Sequence, residues 1–268
     1  MPSNNPQIMG ILNVTPDSFA DGGRFLSLDT ALNHASQMVK EGAHIIDIGG
    51  ESTRPGAQAI SVQAELDRIM QVITKIRAEL PVKISVDTSK SQVMREAIKA
   101  GADMINDIMA LRNEDSQATV AAAKNVQVCL MHMQGEPRTM QQNPHYENVV
   151  DEVKTFLLER IQSCVDAGID AQRLLIDPGF GFGKTLKHNL QLMQGLTELT
   201  TLGYPVLVGV SRKSMIGKIL DQPVSERLYG SIALAVLAVY QGATIIRTHD
   251  VAATVDALTM TQAVLNEN

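Results

Sequence analysis

Eight short apolar runs recur along this chain, each followed by a stretch of helical character. That alternation restricts the available folds more than any other feature. The runs expected as strands are 8–14, 44–48, 82–86, 104–108, 127–131, 174–176, 206–210 and 244–247. Between them, Ala31, Leu32, Ala35, Met38 and Val39, and again Val93, Met94, Ala97 and Ile98, fall at the i, i+3, i+4 spacing of one helix face. The apolar runs are nearly unbroken, as expected of parallel strands covered on both sides. Gly42-Ala43, Gly101-Ala102 and Gly242-Ala243 each stand just before a run. A glycine there supplies the left-handed cap that ends a helix. The longer interval from Met131 to Leu174 is expected to hold a loop and one long helix over 147–167.

Divided into eight βα units, the 268 residues average roughly 33 per unit. No linker, repeat or charge block interrupts them. The expectation is therefore α/β: one (β/α)8 barrel domain over 1–268, with a doubly wound open sheet as the alternative. The apolar segment 232–239 is expected to be core rather than interface.

Composition removes several function classes. Aromatics are 3% with no Trp, which leaves few platforms for stacked bases, and the net charge of -6 argues against nonspecific nucleic-acid binding. No apolar run reaches the ~18 residues of a membrane span, and the N-terminus lacks the regions of a signal peptide. Cys129 and Cys164 lack metal-ligand spacing and are expected to be buried hydrophobes, not a disulfide framework. A soluble, reduced, cytoplasmic protein with neither nucleic-acid nor membrane partners is expected.

Every run ends in polar residues: Asn13, Asp47, Asp87, Asn106 with Asp107, His132, Asp177, Ser211 to Lys213, and Arg247 with His249. Any one of these could start a turn or cap a helix. Eight together, with a lysine and two arginines among them, are better explained by a shared pocket at the C-terminal face of a barrel. Asp177-Pro-Gly-Phe-Gly-Phe-Gly-Lys-Thr185 ends like a phosphate-binding P-loop, but Pro178 stands where that pattern needs its first glycine. Anion recognition is expected from Arg54, from Ser211-Arg212-Lys213-Ser214 and from Arg247-Thr248-His249-Asp250. Ser214 stands where a helix would start. Asn13 with nearby carboxylates suits Mg²⁺ held jointly with a substrate phosphate.

Taken with their order, these motifs identify a resemblance. Gly10-Ile-Leu-Asn-Val-Thr-Pro-Asp-Ser-Phe19 with Asp21-Gly22-Gly23, and Asp47-Ile-Gly-Gly-Glu-Ser-Thr-Arg-Pro-Gly56, resemble two signatures of the dihydropteroate synthase family. Ser85-Val-Asp-Thr88, Asn106-Asp107, His132-Met-Gln-Gly135, the Asp177–Lys184 segment, Ser211-Arg-Lys213 and Arg247–Asp250 follow in the family's order, over about residues 7–263.

The resemblance implies a transferase joining p-aminobenzoate to 6-hydroxymethyl-7,8-dihydropterin diphosphate in folate biosynthesis. It further implies a TIM barrel, Mg²⁺ as cofactor, membership of a sulfonamide-target family, and a homodimer. It places the pterin at Asp87, Asn106, Asp177, Lys213, Met131 and Phe182, with Asp47 in the same pocket. It places diphosphate and metal at Asn13, and diphosphate also at Arg54, Arg247 and His249. p-Aminobenzoate falls to Thr53, Pro55, Phe182 and Ser214. Asp21, Lys213 and Arg247 are implied in the chemistry, Asp21 facing a developing pterin cation. Buried carboxylates and carboxamides suit a pterin independently, because its amide, amino group and ring nitrogens need fixed donors and acceptors.

The Gly- and Pro-containing loops 15–25 and 49–57 are expected to be mobile and to order over diphosphate, so that p-aminobenzoate binds second. The alternatives are a pterin-binding methyltransferase, which needs no diphosphate clamp, and a non-catalytic barrel.

Overall fold

The computed structural model describes residues 5–14, 24–52 and 56–267. β1 (Gln7–Asn13) is followed by α1 (Arg24–Lys40), β2 (Ile45–Gly49) by α2 (Val62–Glu79), β3 (Lys83–Asp87) by α3 (Ser91–Lys99), and β4 (Met104–Asp107) by α4 (Ser116–Ala122). β5 (Gln127–Met131) leads to α5 (Val149–Asp166), and β6 (Leu174–Asp177) to α6 (Leu186–Gln194) and α7 (Leu196–Thr200). β7 (Leu207–Val208) leads to α8 (Ser214–Leu220) and α9 (Leu228–Tyr240), and β8 (Ile245–Thr248) to α10 (Val251–Asn266).

All the strand pairs are parallel, in the order β6-β5-β4-β3-β2-β1-β8-β7. A single parallel bridge between Ile176 and Val206 closes β6 on β7. The sheet is thus a (β/α)8 barrel, and the open-sheet alternative falls.

Strand alternation builds two cores. Ile8, Leu12, Ile46, Ile48, Ile84, Val86, Ile105, Val128, Leu130 and Ile176 pack outward in one continuous cluster with the helices. Met9, Ile45, Met104, Cys129, Leu175, Leu207 and Ile245 form a second cluster inside the barrel, toward the strands' N-terminal ends. The inward positions two and four residues further along β1, β2 and β3 include Asn13, Asp47 and Asp87; the apolar interior gives way to polar side chains at the mouth.

Both helix faces anticipated in α1 and α3 are turned to the core, with Ala31, Ala35, Met38, Val93, Met94 and Ala97 buried. Gly42, Gly101 and Gly242 have φ of +102°, +99° and +100°. The residue after each donates back to Met38, Ala97 and Ala238 respectively, the paired-bond cap that turns a helix into a buried strand. α5 starts at Asn148, whose side chain accepts from Val150 N and Asp151 N. Both cysteines are free and buried.

Every strand but β5 differs from the sequence expectation by a residue or more at one or both ends, and three differences stand out. β4 stops at Asp107, because that carboxylate accepts from Met109 N and Leu111 N, both at 2.8 Å, and bends Ile108 out of the strand direction. β7 covers only 207–208 of the expected 206–210; it lies at the seam, where pairing to β6 is one bridge. The segment 232–239 is core on one face only: Ala235, Ala238 and Val239 are buried while Leu237 is exposed.

Candidate active site

The strand register brings Asn13, Gly49, Asp87 and Asn106 to one level on β1 to β4. Gly49 matters there for what it lacks. A Cβ on it would stand 3.6 Å from Asn13 Oδ1 and 3.7 Å from Asp87 Cβ, so its absence leaves a notch between the two polar side chains.

One layer lower, Asp47 is fully buried. Its Oδ2 accepts from Arg247 Nε at 2.6 Å and from Asn106 Nδ2 at 3.3 Å. Arg247 also donates to Asp87 Oδ2 at 3.1 Å. Asp47 Oδ1 is buried without a hydrogen-bond partner among the described residues, as is the hydroxyl of Ser85, its register neighbour on β3. Buried polar atoms left open in this way suit a ligand or an ordered water. Gly209, on the chain next to β8, leaves room for the Arg247 side chain.

Burial pushes the Asp87 carboxyl up to about 7; Arg247 opposes this and Asp47 reinforces it. For Arg247, burial works against the charge, but Asp47 and Asp87 outweigh it and the guanidinium is held more firmly charged than usual.

The opposite wall comes from β6 and the loop after it. Asp177 is buried at the strand end, and its Oδ1 accepts from Gly179 N at 2.7 Å. Burial raises its pKa, with Lys213 the main influence the other way. Gly179 has φ +69° and any Cβ there would collide with the His132 carbonyl oxygen. Lys213 donates to Phe180 O, and its Nζ lies 4.6 Å from the Phe182 ring centre. Burial lowers Lys213 to about 8, though Asp177 holds it up. Met131 pairs with Asp177 across the sheet and shares an apolar cluster with Met133, Met140, Ile108 and Phe182. Asp47, Asp87, Asn106, Asp177, Lys213, Arg247, Met131 and Phe182 therefore line the mouth together.

At the anion end Arg247 and His249 have separate partners. Arg247 donates to Asp47 and Asp87, whereas His249 Nδ1 lies 2.9 Å from Ser211 Oγ. Arg212, with φ +56°, pairs with Asp250, so its guanidinium is committed within the fold. Ser214 is exposed as the first residue of α8. Asp21, Thr53, Arg54 and Pro55 lie outside the described residues, as does 15–23 of the first loop.

Sequence reasoning missed what anchors the second loop. Glu51 Oε1 accepts from Ile60 N at 3.1 Å, Arg68 donates to Gly50 O at 2.7 Å, and Lys90 bridges Glu51 and the fully buried Glu65. Glu51 stood in the recognised motif, but nothing in the sequence connects Lys90 or Glu65 to it.

A model of the pterin binding enzyme family matches residues 9–249, and the chain belongs to that family. It is 56% identical to the dihydropteroate synthase of Haemophilus influenzae, over 97% of this chain and 94% of the relative. Among solved structures, the Yersinia pestis dihydropteroate synthase in complex with a sulfonamide drug superposes with a TM-score of 0.94 at 50% identity, covering 99% of this chain and 96% of the other. The Xanthomonas albilineans dihydropteroate synthase with 4-aminobenzoic acid gives the same TM-score and identity, over 99% and 95%.

Proposed function

We infer that this chain is an enzyme condensing 6-hydroxymethyl-7,8-dihydropterin diphosphate with p-aminobenzoate to give 7,8-dihydropteroate and diphosphate. The observation that carries the reading is the array of buried Asp47, Asn106 and Asp177 with the partly exposed Asp87, opposite Arg247 and Lys213. A pterin offers alternating donors and acceptors along one edge, and these side chains supply the complementary set. Asp177 and Asn106 take the amino and ring N–H groups, Lys213 the carbonyl, and Phe182 and Met131 the ring face. The open Oδ1 of Asp47 offers a further acceptor at the floor.

The aryl nitrogen forms a bond to the pterin methylene carbon while the carbon–oxygen bond to diphosphate breaks, the electron pair leaving with diphosphate. The aryl nitrogen then loses a proton. No protein nucleophile is required, so the residues act by orientation and by fixed charge. Arg247 and His249 face the departing anion, with Arg54 from the second loop. Asp21 answers the positive charge developing on the pterin. Thr53, Pro55 and Ser214 frame the arylamine.

The oxygen donor Asn13 Oδ1, beside the notch left by Gly49, fits Mg²⁺, which binds few protein oxygens and completes its shell with phosphate and water. Bound there, the ion supplies charge neutralisation to the diphosphate.

A homodimer is supported by Tyr229, Leu237 and Tyr240 on α9 and Met260, Val264 and Leu265 on α10, large apolar side chains exposed on two helices that pack together. Two buried free thiols suit a reducing, cytoplasmic compartment, and no described helix is long and apolar enough to cross a membrane.

Turnover with both substrates, with and without Mg²⁺, tests the reading. Dihydropteroate should form, and its formation should require the divalent ion. Pterin binding with no condensation would favour a non-catalytic barrel.

A further inference from the structure

Lys184 occupies the position that resembles the lysine of a P-loop, yet its ammonium does not face the site. It is 3% exposed. Its Nζ lies 2.8 Å from His132 Nδ1, 2.9 Å from Gly179 O and 3.1 Å from Phe182 O. An ammonium has three donors, and here each has one neutral acceptor. Burying such a group is costly, and full hydrogen bonding is what makes it tolerable. Burial accordingly lowers its pKa well below the ordinary lysine value. Burial, then the nearby Lys184, pushes His132 down to about 2. The imidazole is neutral, and for Lys184 to donate to Nδ1 the ring proton has to be on Nε2.

The two carbonyls that Lys184 holds bracket Phe180 and Gly181. The contacts that Lys213 makes with the loop lie on that same short stretch. Its Nζ donates to Phe180 O and stands over the Phe182 ring, and its Cδ lies 3.2 Å from where a Cβ on Gly181 would be. One lysine therefore grips the loop from inside the fold, and the other rests on its opposite side facing the barrel mouth. Tyr146 Oη donates to Gly183 O at 2.8 Å, and Asn189 Oδ1 accepts from Gly181 N at 2.7 Å. Tyr146 holds one flank and Asn189 the middle of the stretch; neither side chain touches a carbonyl that Lys184 takes, and Lys184 shares Gly179 O with the Phe182 N–H at 3.1 Å.

We propose that Lys184, seated on His132, is a positioning residue that fixes the 179–182 backbone and thereby sets the place and hydrogen bonding of the Lys213 ammonium. The role of Lys213 in turnover rests on the function proposed above; the placement of Lys184 does not.

Competitive acetylation of the folded protein across pH, read lysine by lysine by peptide mass spectrometry, tests the proposal without substrate. In the parent chain, Lys184 should resist labelling while Lys213 titrates near 8. In Lys184→Met, Lys213 loses its fixed acceptor and should label at least about tenfold faster, as expected for loss of one hydrogen bond to a charged group. The value of kcat should fall with little change in KM for p-aminobenzoate. His132→Asn, whose amide oxygen takes the place of Nδ1, should keep the parent Lys213 profile, and His132→Leu should not.

An unchanged Lys213 profile in a folded Lys184→Met protein would overturn the proposal. Equal behaviour of His132→Asn and His132→Leu would do the same, and that pair decides the matter if Lys184→Met does not fold. A shifted Lys213 profile with unaltered turnover would uphold the positioning and remove Lys213 from the reaction.

Discussion

Arg247 and Asp47, 200 residues apart in the chain, meet at 2.6 Å at the barrel mouth and tie β8 to β2. Asp47 is fully buried, so the pair is closed to water on the carboxylate side. Removing one partner of such a pair costs about 3–5 kcal/mol, because the other charge is left buried and unanswered. Asp47→Ala should approach the lower end of that range, since Arg247 keeps Asp87. Denaturant unfolding monitored by circular dichroism measures it. A loss within the scatter of a surface substitution would mean that Asp87 alone suffices to hold the guanidinium.

Two titrations should bound the reaction. Asp87 is raised to about 7 and Lys213 lowered to about 8, both chiefly by burial. The productive form has the carboxyl ionised and the amine protonated, so kcat/KM for the pterin substrate should rise through about 7 and fall through about 8. Asp87→Asn should remove the acid limb and leave the alkaline one. A flat profile through both values contradicts the assignment.

The same Asp87 shift bears on stability. A carboxyl with a folded pKa above its unfolded value of ~3.9 holds its proton more tightly in the native state. Its contribution is complete below the unfolded pKa and is lost as pH rises through about 7. The parent protein should therefore lose unfolding free energy over that window, and Asp87→Asn should show a shallower decline. Parallel slopes for the two proteins would place the proton elsewhere.

At the pterin end, Asp177→Ala removes a carboxylate whose Oδ1 already braces Gly179 N. Calorimetry with a pterin ligand should show a loss of ~1–3 kcal/mol or more, the usual consequence of leaving a buried donor unpaired. Unaltered affinity would exclude Asp177 from pterin recognition.

Arg247 and His249 should separate in their effects, because their partners differ. His249→Gln should weaken diphosphate binding and spare free pterin. Arg247→Gln should weaken both, since the guanidinium also organises Asp47 and Asp87. Titrations of each variant with diphosphate plus Mg²⁺ and with pterin alone measure the difference; an equal loss of both ligands in His249→Gln would move that residue out of the anion site.

The barrel and the level of its polar rim were legible because both follow from local alternation. Strand β5 begins and ends where its apolar run does, Asp87 and Asp177 close their strands and Asn106 lies one residue before the end of β4, whereas Asp47 sits mid-strand, one layer below the rim. Long-range pairing was not legible. Lys90 reaches Glu51 and Glu65 across 39 and 25 residues, and a lysine near a helix start reads as solvated. Arg212 beside Lys213 reads as a second anion ligand until Asp250 is seen to hold it. Helix α9 is apolar on every side, so its sequence has no periodic signal separating the core face from the one left bare.

The plug of Met9, Ile45, Met104, Cys129, Leu175, Leu207 and Ile245 fills the barrel interior toward the strand starts. Among the described residues the polar side chains stand above that plug, so a guest reaching them would enter from the strands' C-terminal ends. On the proposed function, a heterocycle seated against Asp47 and Asn106 would arrive before a guest at the rim and leave after it. Chain direction alone would then set a queue: strand ends that carry polar side chains stand above strand starts packed with methionine, cysteine and branched aliphatics.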